Sequence, residues 1–179
     1  MTIYLIRHGK TKANELRLYC GSTDLPLSES GREELRRIRC DISGVRFLTS
    51  GMARANETME LLFPGVPYEI DPRFREVDFG AFEMRSYEDL KDDPAYQAWL
   101  TGDNEANVPP SGESGCQMTE RVLAAFRELC EDTCVITHGG VIAAIMAACF
   151  PGEGKHRYQW QPKNGCGYAI YGDHFEPIP

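Results

Sequence analysis

Short apolar runs alternate with amphipathic segments along most of the chain, and this alternation limits the fold more than any other feature. The runs occupy residues 3–6, 45–49, 68–70, 133–137 and 168–171, and each has the composition of a buried strand. Strands that alternate with helical patterns are typical of an α/β domain with a parallel sheet. We therefore predict a three-layer α/β/α sandwich with a mostly parallel central sheet.

Helical spacing between the runs supports this interpretation. Ser30 and Glu33 have the spacing of a capping box, and Leu35, Ile38 and Ile42 follow on one helical face. Further helices are predicted over residues 55–63 and 118–129. Residues 141–150 are apolar almost all round, which predicts a buried helix.

Residues 72–115 interrupt the alternation. They are rich in charge, proline and aromatic side chains, with a predicted helix at 94–99 and a loop at 109–112. A chain of 179 residues favours one domain. We therefore predict a single domain over residues 1–179, in which 72–115 form a lid-like insertion.

The charge and cysteine pattern excludes several classes of partner. A net charge of −8 argues against nucleic acid and anionic membranes, although a local cationic pocket still suits a small anion. No apolar run approaches the ~20 residues of a membrane span, and the first residues lack the basic region of a signal peptide. Seven scattered cysteines without C-x-x-C spacing favour a reducing, cytoplasmic location. Nothing in the sequence indicates the oligomeric state.

Polar side chains follow three of the apolar runs. Arg7 and His8 follow the first run, Arg54 comes soon after the second, and His138 follows the run at 133–137. The carboxyl ends of parallel strands meet at one edge of a sheet, where ligands bind. A predicted helix follows each group, and helix N-termini favour anions. These positions predict a phosphate site.

Each of these residues alone has an ordinary structural explanation. A single histidine at the end of a strand is more often a structural residue than a catalytic one. Two arginines and two histidines brought together would repel one another unless an anion compensates them. The convergence is therefore the argument for a functional site.

Four sequence motifs resemble those of the histidine phosphatase superfamily, which has the phosphoglycerate-mutase-like fold. Most of the chain is covered, in the family's order. The matching residues are Leu5-Ile6-Arg7-His8-Gly9 with Thr11, Asn14, Gly21 and Asp24; Ser50, Arg54-Ala55 and Thr58; Glu76 within residues 74–80; and His138-Gly139-Gly140.

The resemblance implies a set of catalytic residues. His8 is the implied nucleophile, which becomes phosphorylated, and Glu76 is the implied proton donor. Arg7, Arg54 and His138 would hold the phosphoryl group.

The resemblance also implies substrate contacts and a reaction without added cofactors. The substrate contacts fall on Asn14, Cys20, Gly21 and Gly139. An imidazole attacks phosphorus only when it is neutral, and guanidinium groups match phosphate oxygens. Two arginines and a protonated His138 would then provide the positive charge, so neither a metal nor another cofactor is expected.

Two assignments stay open. Asp78 and Glu83 lie close enough to Glu76 to be confused with it. The motif favours Glu76 as the acid, and the alternative is that all three are solvated charges. Cys20 is expected to be a small filler, with a weak donor and an oxidation-sensitive thiol as the alternatives. Lys10 stands where the family usually has Glu, with no predictable effect.

The insertion narrows the expected substrate. After Glu76 it is mostly acidic, which favours hydrolysis over the second-anion grip of a mutase. Residues 79–83, Pro94, Trp99 and residues 109–114 resemble the α-ribazole phosphatase group, which removes the 5′-phosphate of α-ribazole phosphate in cobalamin nucleotide-loop assembly. The expected partner is thus a small phosphorylated metabolite.

Other functions remain as alternatives. They are a broad-specificity phosphatase, a cofactor-dependent phosphoglycerate-mutase-like enzyme, and a phosphate-binding or phosphohistidine signalling module. Five aromatic residues either line a pocket for a base or pack the insertion onto the sheet: Phe79, Phe82, Tyr87, Tyr96 and Trp99.

Overall fold

The computed structural model describes residues 1–103 and 105–179. Its strands are β1 (Thr2–Arg7), β2 (Arg46–Thr49), β3 (Glu69–Ile70), β4 (Thr133–Thr137), β5 (Gly167–Tyr171) and β6 (His174–Ile178). They form one sheet in the order β3-β2-β4-β1-β5-β6. The pairs among β1 to β4 are parallel, and β5 and β6 join in antiparallel pairs. The predicted mostly parallel sheet is confirmed.

The helices connect these strands. They are α1 (Lys12–Leu16), α2 (Glu29–Arg36), α3 (Ala53–Leu62), α4 (Tyr87–Leu90), α5 (Pro94–Leu100), α6 (Gly115–Arg127) and α7 (Gly139–Cys149). Short 3-10 turns lie at Pro72–Phe74, Gly80–Phe82, Pro151–Glu153 and Arg157–Trp160. Within the described ranges, no helix has the length and apolar character that crossing a membrane requires.

Alternate residues of the central strands build two separate cores. In β1, Ile3 and Leu5 belong to the core on the side of α6 and α7, while Ile6 belongs to the core beneath α3. In β4, Val135 joins the first core and Ile136 the second. Side chains alternate across a strand, so both faces of the sheet are covered by helices. The predicted three-layer arrangement is confirmed.

The start and the end of α2 differ from the prediction. Ser28, not Ser30, caps the helix, because its Oγ accepts a 3.1 Å hydrogen bond from the backbone N of Gly31. The helix also stops before Ile38 and Ile42. Ile42 nevertheless packs against the core beneath α3, which explains why an apolar pattern continued past the helix end.

The sequence analysis did not predict β6. This strand contains Glu176 and Pro177, residue types that are rare in strands. It pairs with β5 after a turn at Gly172, whose φ of 62° is easily adopted by glycine. An edge strand tolerates proline, so the hairpin forms despite its composition.

Residues 72–115 run from the end of β3 past the carboxyl ends of β4 and β1. Thr137 Oγ1 donates a 2.7 Å hydrogen bond to the carbonyl of Phe74, which ties the start of the insertion to β4. Phe82, Leu90 and Tyr96 form a small core inside the insertion. The insertion therefore lies on the sheet edge where the polar residues gather, and the loop predicted at 109–112 is present.

Candidate active site

The carboxyl ends of three adjacent strands bring the predicted site together. β2, β4 and β1 are neighbours in the sheet. Backbone hydrogen bonds align their ends: His8 N donates to Thr137 O at 2.9 Å, and Ser50 N donates to Ile136 O at 3.3 Å. The ring centroids of His8 and His138 are 5.1 Å apart as a result.

His8 is buried and has one fixed tautomer. Its Nδ1 lies 2.6 Å from the carbonyl oxygen of Gly9, which can only accept, so the proton sits on Nδ1. The Nε2 lone pair is left for attack on an electrophile. Burial, and after it the charge of Arg54, places the pKa of His8 well below its usual range, and Arg7 adds to the effect. The ring is therefore neutral at neutral pH.

Two side chains distant in sequence hold the backbone at His8. Thr58 Oγ1 accepts a 2.9 Å hydrogen bond from Gly9 N. Asn164 Nδ2 donates to the His8 carbonyl at 2.9 Å and to the Gly9 carbonyl at 3.4 Å. The sequence analysis missed Asn164, because nothing in its local sequence marks a contact with a residue 156 positions earlier.

Arg54 is almost completely buried, and its guanidinium joins three parts of the site. Nη2 donates to the Gly21 carbonyl at 2.7 Å, and Nη1 donates to the Thr23 carbonyl at 2.9 Å. Nε donates to Nδ1 of His138 at 3.3 Å. A guanidinium has five N–H donors, so two remain for an anion.

His138 is neutral in this structure. Its Nδ1 accepts from Arg54, and its Nε2 donates to Ser50 Oγ at 2.8 Å, so the ring is neutral rather than cationic. Burial lowers its pKa well below the usual range, and Arg54, His8 and Arg7 lower it further. The neighbouring arginines repel a second positive charge in this geometry, whereas the predicted protonated His138 concerns the phosphate-bound enzyme and stays a prediction.

Arg7 carries a buried donor aimed into the same cluster. Its Nη1 donates to the Pro162 carbonyl at 2.8 Å, whereas its Nε is buried without a hydrogen-bond partner among the described residues. Burial lowers the pKa of Arg7, and the nearby Glu76 opposes that effect. A Cβ on Gly139 would lie 3.0 Å from the Arg7 Cζ, so glycine gives the guanidinium room. An unsatisfied buried N–H is costly and is expected to bind an anion.

Glu76 lies at the start of α7. Its Oε2 accepts a 2.9 Å hydrogen bond from Gly140 N, and its Oε1 accepts one of 3.0 Å from Val77 N. A Cβ on Gly140 would approach Oε1 to 2.4 Å, so a larger residue there would displace the Glu76 carboxyl group. A carboxyl group is favoured at a helix N-terminus, and each of its oxygens keeps a second lone pair.

The two alternatives to Glu76 have structural roles. The Glu83 carboxylate accepts hydrogen bonds from the backbone N atoms of Gly21, Ser22, Thr23 and Phe79. Asp78 accepts from Ser22 Oγ and from Gly80 N, each at 2.8 Å. Neither is a free solvated charge, and both hold the loop at residues 21–23 against the insertion.

Gly21 and Cys20 form hydrogen bonds within the protein, and neither has a free donor directed at a substrate in these contacts. The Gly21 N–H donates to Glu83, while its carbonyl holds Arg54. A Cβ on Gly21 would come within 1.6 Å of the Val77 carbonyl oxygen, so no side chain fits. Cys20 Sγ donates to the Thr23 carbonyl at 3.6 Å, and burial raises the pKa of the thiol. The Cys20 S–H is thus bonded within the loop at residues 21–23, and the expected role of Cys20 as a small filler stays a prediction.

The other predicted substrate contacts have available donors. Asn14 Oδ1 accepts from Thr11 N at 3.0 Å, and its Nδ2 makes no hydrogen bond in the described parts of the chain. Gly139 begins α7 next to Arg7. At the N-terminus of α3 the anion is a side chain of the protein, because the Asp24 carboxylate accepts a 2.8 Å hydrogen bond from Ala53 N.

Lys10 lies outside the cluster. Its Nζ is 2.7 Å from Glu34 Oε1 on α2, and both side chains are largely exposed. The departure from the family's usual Glu is therefore matched by an acidic partner on α2. Exposed pairs of this kind contribute little stability.

A cavity of about 440 Å³ opens beside Glu76. It is lined by Tyr19, Glu76, Val77, Phe79, Trp99, Leu100, Glu105, Glu113, Gly115, Met118, Gly140, Arg157, Tyr158 and Gln161. Of the five predicted aromatic residues, Phe79 and Trp99 line it, while Phe82 and Tyr96 are buried inside the insertion. The sequence analysis missed Tyr19, which lines the cavity and whose hydroxyl lies 2.7 Å from the Tyr96 hydroxyl.

Comparison with known proteins defines the class. The model of the histidine phosphatase superfamily, branch 1, matches residues 3–177. The chain belongs to this superfamily, and the predicted resemblance and the phosphatase class are confirmed.

Individual relatives agree with this assignment. An adenosylcobalamin/alpha-ribazole phosphatase of Salmonella typhimurium is 33% identical, over 95% of this chain and 90% of its own. A solved Escherichia coli structure, provisionally described as an alpha-ribazole-5′-P phosphatase, has a TM-score of 0.82 at 29% identity and covers 99% of this chain and 94% of its own. A phosphoglycerate mutase of Thermus thermophilus has a TM-score of 0.79 at 32% identity, covering 95% of this chain and 92% of its own.

Proposed function

We propose that the protein is a phosphomonoesterase that works through a phosphohistidine at His8 without a metal ion. The observation that supports this most strongly is the bond from His8 Nδ1 to the Gly9 carbonyl, which leaves Nε2 unprotonated in a buried cationic cluster. A nucleophile needs a free lone pair and a fixed orientation, and His8 has both.

The first step transfers the phosphoryl group to His8. Nε2 forms a bond to phosphorus while the bond from phosphorus to the ester oxygen breaks. Arg7 Nε and the two remaining Arg54 donors are positioned to neutralise the charge on the phosphoryl oxygens. The Glu76 carboxyl gives its proton to the departing oxygen, so the product leaves as an alcohol.

The second step hydrolyses the phosphohistidine. Glu76, now a carboxylate, accepts a proton from water as the water oxygen bonds to phosphorus and the bond to Nε2 breaks. The phosphate dianion of the substrate, placed next to His138, would raise the pKa of that ring. His138 would then carry positive charge only while the phosphate is bound.

We further propose α-ribazole 5′-phosphate as the substrate, in the assembly of the cobalamin nucleotide loop. The chain is similar over nearly its full length to relatives named for that activity. The cavity beside Glu76 combines apolar lining from Phe79, Trp99 and Met118 with polar lining side chains. An aromatic base attached to a ribose matches that composition.

The same cavity argues against a mutase. A phosphoglycerate mutase must bind a second anionic group of its substrate. Arg157, the only arginine or lysine among the described lining residues, forms an ion pair with Glu105, and Glu76 and Glu113 also line the cavity. An acidic cavity of this kind disfavours a phosphoglycerate.

The proposal is tested by trapping the intermediate. We expect wild-type protein to hydrolyse p-nitrophenyl phosphate in the presence of EDTA, to be inhibited by vanadate, and to form an acid-labile phosphoenzyme. His8→Ala is expected to lose turnover by at least ~10⁴-fold and to form no phosphoenzyme. His156→Ala, at an exposed histidine, is the matched control. Turnover that survives in His8→Ala would contradict the mechanism.

A panel of phosphate esters tests the proposal that α-ribazole 5′-phosphate is the substrate. The value of kcat/KM is expected to be higher for α-ribazole 5′-phosphate than for simple sugar and glycerol phosphates. Equal values across the panel would instead indicate a broad-specificity phosphatase. A strong requirement for 2,3-bisphosphoglycerate with phosphoglycerate as substrate would indicate a mutase, and tight binding without turnover would indicate a signalling module.

A further inference from the structure

Four consecutive carbonyl groups ahead of and at Glu76 are held by side chains rather than by a strand partner. Thr137 Oγ1 donates to the carbonyl of Phe74 at 2.7 Å. Arg121 donates to the other three, with Nη1 at 2.8 Å from the carbonyls of Arg73 and Arg75 and Nη2 at 3.1 Å from that of Glu76. The backbone that carries the proposed proton donor is therefore fixed chiefly by one guanidinium.

Arg121 is itself fixed by Glu113. Its Nε and Nη2 each lie 2.7 Å from a Glu113 carboxylate oxygen, in a bidentate pair. With these two bonds, all five N–H donors of Arg121 are used. Glu113 N also donates to the Asp78 carbonyl at 2.8 Å, so the segment after Glu76 is held by the same part of the insertion.

We propose that Arg121, held by Glu113, is the positioning residue for the Glu76 carboxyl group. This inference rests on the proposed function, because it assigns Arg121 a role through the proton donor of that mechanism. Arg121 lies on α6 and its bonds to residues 73–76 are all to backbone carbonyls. Arg121 thus positions the backbone of Glu76, while the hydrogen bond from Gly140 N positions its carboxyl group.

The geometry makes Arg121 difficult to replace. Lysine has three donors at a single point, whereas the Arg121 fork reaches three carbonyls and a carboxylate in different directions. A lysine at position 121 would keep the positive charge of α6 but release at least two of the five bonds. The backbone at Glu76 would then be free to shift, and a displacement of about 1 Å at a catalytic group costs roughly 10²-fold in rate.

The test depends on the leaving group of the ester. p-Nitrophenolate leaves without a proton, whereas the alkoxide of β-glycerol phosphate requires one. Rapid-quench measurement of phosphohistidine formation isolates the step in which Glu76 donates that proton. We expect Arg121→Lys to slow this step about 10²-fold with β-glycerol phosphate and to change it little with p-nitrophenyl phosphate. A group that only stabilised the fold would affect both esters alike.

Two further variants complete the experiment. Glu113→Gln leaves Arg121 in place but weakens its anchor, so it should show the same selective effect at smaller size. It also replaces Arg121→Lys if the latter does not fold. Arg127→Lys, an exposed arginine on the same helix, is the matched control and should behave as wild type.

The outcomes separate this inference from the proposed function. If the folded variants slow both esters equally, or neither, Arg121 does not position the proton donor, although the phosphohistidine mechanism still stands. If wild-type protein forms no phosphohistidine from p-nitrophenyl phosphate, the proposed function fails and this inference fails with it.

Discussion

The proposed phosphate end and the proposed leaving-group end of the site are fixed by different means. At the phosphate end, Arg7, His8 and His138 lie at the ends of adjacent strands, so the backbone ladder of the sheet sets their spacing. At the leaving-group end, Glu76 lies in the insertion, where side chains such as Arg121 and Thr137 hold single carbonyl groups.

This difference has a consequence for substitutions. A change at the phosphate end should affect every phosphate ester, because all of them present the same phosphoryl group. A change near Glu76 should affect esters according to their leaving groups. Glu83 and the loop at residues 21–23 connect the two ends, since Glu83 belongs to the insertion and the loop carbonyls hold Arg54.

Among substitutions that leave the nucleophile in place, the largest effect is expected at Arg54. Arg54→Lys removes the planar fork that holds the carbonyls of Gly21 and Thr23 and reaches Nδ1 of His138. We expect kcat/KM to fall by roughly 10²–10³-fold for aryl and alkyl esters alike. Steady-state kinetics with both esters measures this, together with the inhibition constant of inorganic phosphate.

The control for Arg54 is Arg36→Lys, at an exposed arginine on α2. It should match wild type in both assays. A selective loss with only one class of ester in Arg54→Lys would contradict the assignment of Arg54 to the phosphate end.

The next effect concerns the free energy of unfolding at mildly acidic pH. Burial and neighbouring arginines lower the pKa of His8 and of His138 in the folded state. The unfolded chain therefore binds more protons than the folded chain below about pH 6.5. The free energy of unfolding should be fully retained above that pH and should decrease below it, by at most about 1.4 kcal/mol per pH unit for each histidine.

Urea unfolding between pH 5 and 8 measures this dependence, with the range set by the usual histidine pKa of ~6.5. His138→Gln should show a smaller slope than wild type, whatever its absolute stability. His174→Gln, at an exposed histidine, should keep the wild-type slope. Identical slopes in wild type and His138→Gln would mean that the buried ring is not held neutral.

A smaller effect is expected where the two ends meet. Glu83→Gln puts an amide N–H₂ group in front of the backbone donors of residues 21–23, so part of the carboxylate's hydrogen bonding is lost. We expect kcat/KM to fall about 10-fold, equally for aryl and alkyl esters, because the disturbance reaches Arg54 through the loop.

Glu88→Gln, at an exposed glutamate on α4, is the control for Glu83. Glu83→Gln can be compared directly with Arg121→Lys. Each residue holds backbone N–H or carbonyl groups near the site, but only Arg121 is bonded to the backbone of Glu76. If kcat/KM of Glu83→Gln fell only for alkyl esters, Glu83 would instead belong with the residues that position Glu76.

Much of the fold and of the site could be predicted, since the relevant signals are local. Apolar runs gave the strands β1, β2, β4 and β5, and the residue that follows a strand necessarily lies at its end. That β6 was missed, and that the end of α2 was misplaced, has one cause. In both places a tertiary contact, to β5 or to the core beneath α3, outweighs the local composition.

Several expectations stay predictions. The catalytic roles of His8 and Glu76 and the substrate contacts of Asn14 and Gly139 are of this kind. So are the single-domain assignment, the action of residues 72–115 as a lid, and the cytoplasmic location. The experiments on His8 and Arg121 address the roles directly.

The sequence by itself determined the family and the gathering of two arginines and two histidines at one edge of the sheet. These follow from short motifs in which a buried strand leads directly to a polar residue. Only the tertiary structure decided the neutral state of His138, the tether from Asn164 and the grip of Arg121 on the backbone at Glu76. Each of these is a contact between residues at least 45 positions apart, and such a contact cannot be predicted from a local sequence pattern.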